Sequence, residues 1–71
     1  MVRIALYRRI EDGDPIAVAI QEAAGAETVK ARHFIERELA PRLKAGYFAQ
    51  VEVSETGQQW RTLTRIDGQA S

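Results

Sequence analysis

The chain has no cysteine, one histidine, one tryptophan and only two serines among its 71 residues. Each scarcity closes a class of chemistry. Without cysteine there is no disulfide staple, no thiolate zinc site and no thiol nucleophile, and the composition fits a reducing compartment. A Ser-His-carboxylate hydrolase needs a held nucleophile, yet the serines are Ser54 at the end of a strand pattern and Ser71 at the tail. The sole histidine, His33, shares its helix face with Lys30 and Arg37 instead of with a carboxylate. Glycines 13, 25, 46, 57 and 68 stand singly at element ends, so no glycine-rich loop cradles a phosphate. Glu11, Asp12 and Asp14 are too short and irregular a run for a calcium loop and read as a turn and a helix cap. The sequence thus predicts a protein that is not an enzyme, with no metal, no cofactor and no small-molecule substrate.

Long apolar runs are also missing. Met1 to Ile10 carries Arg3, Arg8 and Arg9, which suits neither a secretion signal nor a membrane span, so a cytoplasmic protein without membrane contact is expected. Charge of one sign is lacking too: ten Lys and Arg balance ten Asp and Glu, and any basic site must be local.

What is present is a globular composition, 45% hydrophobic and 28% charged, in one domain spanning residues 1–71. A core of this size rarely supplies more than about 3–5 kcal/mol, so self-association or a partner would be a natural supplement. Residues 2–10 alternate, with Val2, Ile4 and Leu6 on one side and Arg3, Ala5, Tyr7 and Arg9 on the other, the period of a strand with one buried face. Asp14 before Pro15 reads as a helix start, and Ile16 to Ala24 as a short, deeply set helix stopped by Gly25. A second helix is expected from Glu27 toward Ala45, with Ala31, Ile35, Leu39 and Leu43 facing inward and Pro41 either kinking it or starting a fresh turn.

Tyr47–Ser54 and Gln59–Ile66 read as two strands joined through Thr56 and Gly57. A turn there pairs Val53 with Trp60, Val51 with Thr62, Ala49 with Thr64 and Tyr47 with Ile66 on the core face, and sets Glu52 opposite Arg61. Residues 68–71 read as a frayed tail. The expected fold is α+β, a two-layer single domain in β-α-α-β-β order, with a small antiparallel sheet covered on one face by two helices.

Two surfaces are candidates for binding. On the second helix, Lys30, His33, Arg37 and Lys44 recur near helical spacing, and Thr28 to Lys44 holds five basic and two acidic residues. Such a stripe offers salt-dependent affinity for phosphates. The alternative is the outer sheet face, where Arg3, Tyr7, Phe48, Arg61, Leu63 and Arg65 would form an apolar patch with an arginine rim. Aromatic rings among arginines suit either a single-stranded nucleic acid or a protein interface.

The stretch from Ile16 to Arg65 resembles winged helix-turn-helix domains of DNA-binding regulators. The likeness rests on the alanine-rich first helix, the break at Gly25, a longer helix with Ala31 and Phe34, and "LKAGYFAQVEV" with "GQQWRTLTR" as a wing-like hairpin. It implies a transcription regulator whose second helix enters the major groove with Lys30, His33 and Arg37 while the Thr56–Gly57 tip touches the backbone. The resulting expectation is a non-catalytic nucleic-acid-binding module. Its rival is a protein-interaction or inhibitor module, such as a phage or mobile-element product docking on a host protein, or a homodimer.

Overall fold

The structure, a computed structural model, describes residues 1–22 and 28–69. Four strands, β1 (Val2–Arg8), β2 (Ile16–Glu22), β3 (Tyr47–Val53) and β4 (Arg61–Asp67), form one antiparallel sheet in the order β2-β1-β3-β4. One helix, α1 (Thr28–Phe34), leads into a wider π-helical turn over Ile35–Leu39 and a tight 3-10 turn over Ala40–Arg42. The α+β class stands, but the order among the described residues is β-β-α-β-β, with one helical segment covering the sheet instead of the two expected.

The expected first helix is overturned. Ile16–Glu22 pairs antiparallel with β1, Ile20 facing Ala5 and Ile16 facing Arg8, with a bulge at Val18. "IAVAIQE" satisfies both periods, because its alanines favour a helix while Ile16, Val18 and Ile20 are β-branched and stiff at χ1. The open edge of β1 resolves the ambiguity by offering a ladder of hydrogen bonds that local propensity cannot anticipate. Residues 23–25 of that expected helix lie outside the described residues.

The second helix is shorter than expected, ending at Arg42, with Glu27 outside the described residues. Pro41 lies in the first turn of the 3-10 segment, where its missing N–H removes no hydrogen bond, and the chain turns extended at Leu43. Ala31 and Ile35 are buried from the helix side, with Leu39 half-buried. They meet Val2, Ala49 and Val51 from β1 and β3, while Leu43 closes one end. The inward spacing of Ala31, Ile35, Leu39 and Leu43 is that expected of an amphipathic helix.

The β3–β4 register differs from the expectation by two residues as far as Val51 and by one beyond it. Ala49 faces Ile66, Val51 faces Thr64, and Phe48 faces Asp67; a bulge at Leu63 then sets Glu52 against Thr62 and Val53 against Arg61. The connection is a seven-residue loop over 54–60, not a tight corner. The Ser54 hydroxyl accepts the Gly57 N–H at 2.8 Å, the Trp60 indole donates to the Gly57 carbonyl at 3.2 Å, and Gly57 has φ +84°. Those local bonds lengthen the loop and slide the strand.

Gly68 and Gln69 are not a free tail. Gly68 N–H donates to the Tyr47 carbonyl at 2.8 Å, and Gln69 bridges to Lys44. A Cβ at Gly68 would fall 1.8 Å from the Lys44 carbonyl oxygen, so only glycine fits this approach. Gly68→Ala is expected to release this end of the chain, at a cost of about 1–3 kcal/mol. The cost is capped by the few contacts the segment makes. A lower urea midpoint and faster amide exchange at Gln69 would register it; unchanged values would refute the close approach. Residues 70 and 71 lie outside the described residues.

Candidate functional site

Side chains facing each other across antiparallel strands share a sheet face, so the register defines the face turned away from the helix. Three rows cross it: Ala17, Tyr7, Phe48 and Asp67; Ile20, Ala5, Gln50 and Arg65; Glu22, Arg3, Glu52 and Thr62. Among the described residues no helix covers this face, yet Ala5, Phe48 and Glu52 are buried on it. The cover is a lattice of arginines and rings.

At one end, the Tyr7 and Phe48 rings stack at 5.0 Å, with Arg65 over Phe48 at 4.1 Å and Arg9 at 5.1 Å. Both guanidinium groups meet Asp67, Arg9 at 2.5 Å and Arg65 at 3.0 Å. Hydrogen bonds from Arg65 and then Arg9 hold the Asp67 carboxyl below the usual carboxylate range.

At the other end, Glu52 is only 4% exposed and accepts three hydrogen bonds. They come from Arg3 Nε at 2.7 Å, Tyr7 Oη at 2.5 Å and Gln50 Nε2 at 2.7 Å. Burial pushes its pKa up, but the bonds from Tyr7, Arg3 and Gln50 together outweigh burial and leave it below the ordinary value. Burial, aided by the hydrogen bond to Glu52 and its charge, raises the Tyr7 phenol. Arg3 places its guanidinium carbon over the Trp60 ring, 3.9 Å from the centroid, so one side chain serves both a carboxylate and an indole.

The structure therefore brings Arg3, Tyr7, Phe48 and Arg65 together as expected residues of one face, and separates Arg61 and Leu63 from them. The Leu63 bulge shifts Arg61 opposite Val53, toward the helix side, where it lines a groove with Met1, Val2 and Thr28. Leu63 is exposed at the bulge and is not diagonal to Phe48, whose row partner is Asp67. Phe48, at 4% exposure, is roofed by arginines and presents no open ring. Trp60 is half-buried on the outer face and lies outside the core expected for it. Asp67, which organises one end of the site, was missed; Glu52 was expected on this face as the cross-strand partner of Arg61, and the structure gives it to Arg3, Tyr7 and Gln50 instead.

On the helix side, Lys30, His33 and Arg37 are exposed, opposite buried Ala31 and Ile35. Lys44 is not part of that stripe, because the helical region ends at Arg42 and Lys44 lies in the bridge to Gln69. A shallow open groove runs past Val29, Arg32, His33 and Glu36. A helix-turn-helix needs two helices, and the described residues hold one helical segment; Thr56 and Gly57 sit in the 54–60 loop. Among the described residues no group of three His, Asp or Glu is placed to hold a metal ion, and no helix is long and apolar enough to cross a membrane.

Comparison with protein-family models, with curated proteins and with solved structures gives no match to this chain.

Proposed function

We propose that this chain is a non-catalytic protein-interaction module that docks through the uncovered face of its sheet. The observation that carries the reading is the pre-set lattice of Arg3, Tyr7, Trp60 and Arg65. Arginine, tyrosine and tryptophan are the types that dominate binding energy at protein interfaces, and side chains already locked by neighbours lose little freedom on docking. Glu52 and Asp67 compensate the arginines, and Phe48 is roofed, which favours a protein over a nucleic acid needing cations and open rings.

A second reading is a nucleic-acid partner on the helix, favoured by the common exposure of Lys30, His33 and Arg37. One set of experiments distinguishes them. Under the first reading, nuclease-treated lysate yields a protein captured by the wild type and lost with Trp60→Ser or Arg65→Glu, and retained with Lys30→Ala/Arg37→Ala. Capture indifferent to the face variants would overturn it. Titration with labelled single-stranded and duplex DNA that shows binding weakened by salt and by Lys30→Ala/Arg37→Ala would put the second reading in its place.

A further inference from the structure

The chain has three aspartates and no asparagine. Asp12 and Asp67 precede Gly13 and Gly68, whereas Asp14 precedes Pro15. An aspartate before glycine can lose water to its own backbone. The glycine nitrogen attacks the side-chain carboxyl carbon, a C–N bond forms, and one carboxyl oxygen leaves as water with the acid proton and the amide proton. Water then opens the five-membered imide at either carbonyl. The product is aspartate again or its isomer of equal mass, isoaspartate, in which the backbone runs through the side-chain carbon. Glycine permits the attack because it has no Cβ to crowd the nitrogen. Proline blocks it at Asp14, having no N–H to release.

The fold gives the two identical dipeptides opposite surroundings. Asp12 and Gly13 are exposed in the turn between β1 and β2, and Asp12 has no hydrogen-bond or ion-pair partner among the described residues. A Cβ at Gly13 would meet only Ile10 Cγ2, at 4.0 Å, so little packing resists the rotation that brings carboxyl to nitrogen. At Asp67, by contrast, Oδ1 accepts from Arg65 at 3.0 Å and from Arg9 at 2.5 Å. Those bonds hold the carboxyl below its ordinary range and deplete the acid form that ring closure consumes. The Gly68 N–H, which would have to attack, donates to the Tyr47 carbonyl at 2.8 Å, and the Lys44 carbonyl packs where a Cβ would stand.

We propose that Asp12–Gly13 is a site of spontaneous isoaspartate formation in the folded chain, and that the Arg9, Asp67, Arg65 cluster with the Gly68–Tyr47 bond protects Asp67–Gly68 from the same reaction. Residues 10–15 are all exposed, so the turn takes up the extra backbone carbon without disturbing the core.

The inference does not rest on the docking reading. Its test is the folded protein held for weeks at neutral pH and physiological temperature, then digested and mapped by electron-transfer fragmentation, which tells the isomers apart. Isoaspartate should accumulate at Asp12 and not at Asp67, whereas in concentrated urea both positions should convert at similar rates. Asp12→Glu, which would need a six-membered ring, and Gly13→Val, which crowds the nitrogen, should each lose the modification at this turn. An unconverted Asp12 in the folded chain, or one that converts no faster than Asp67, would overturn the inference. So would a yield at the turn that Gly13→Val leaves untouched, and an Asp67 still inert in urea would show that the fold is not what protects it.

Discussion

Shortening Ile35 to alanine is expected to remove most of the folding stability of the chain at 25 °C. Ile35 is 0% exposed and, with Val51, is one of the two large side chains fully enclosed in the structure. It joins the wide helical turn to the sheet, where it packs in one cluster with Ala31, Leu43, Ala49 and Val51. Removing a buried isoleucine to alanine costs about 2–5 kcal/mol, because the lost transfer energy is joined by a cavity the surroundings fill incompletely. A core of this size holds roughly 3–5 kcal/mol in all, so the loss is comparable to the total. Ile35→Val should cost about 0.5–1.5 kcal/mol and serve as the graded control. Urea denaturation at fixed protein concentration reads both; an Ile35→Ala midpoint close to wild type would show that the helix does not depend on this contact.

Replacing Glu52 by alanine is the second large effect, expected near 3 kcal/mol, because it leaves the Arg3 guanidinium and the Tyr7 hydroxyl without their acceptor. Glu52→Gln keeps an acceptor of the same shape while deleting the charge, so its loss should be smaller. The pH dependence has a definite sign. The Glu52 pKa is lower in the folded chain than in the unfolded one, so its stabilising contribution is complete above the unfolded value of about 4.3. It is lost as pH falls through the folded value. Wild-type stability should therefore decline on acidification below about pH 4, and the decline should be shallower in Glu52→Gln. Denaturation at neutral and acid pH checks this; parallel profiles for the two proteins would show that Glu52 is not a coupled acceptor.

The legible parts of the fold are those in which a segment's own pattern has one reading. The alternation of Val2, Ile4 and Leu6 with Arg3, Ala5 and Tyr7 allows only a half-buried strand, and Ala31, Ile35 and Leu39 recur at a helix's period. Residues 16–22 fail that test, since alternating alanines and β-branched residues suit both structures. Their state depends on a neighbour supplied by β1.

The candidate site was legible only as a composition. Arg3, Tyr7, Phe48 and Arg65 sit on one face because strand parity is a property of each segment, which a two-residue slip in register leaves intact. Their roles depend on that register. Arg3 reaches Glu52 across forty-nine positions through β1–β3 pairing, and the pairing expected between Glu52 and Arg61 arose from a turn placed too tightly.

Taken alone, the amino-acid order settled a neutral α+β chain, the inward faces of β1, β3 and the helix, and the strand character of residues 47–53 and 61–66. Tertiary structure decided the fourth strand, the bulges at Val18 and Leu63, the position of Trp60 beneath Arg3 and the docking of Gly68. The division has one physical cause. Periodicity is written over a few neighbouring residues, whereas register, edge pairing and buried charge are fixed by hydrogen bonds between segments whose meeting the chain specifies only as a whole.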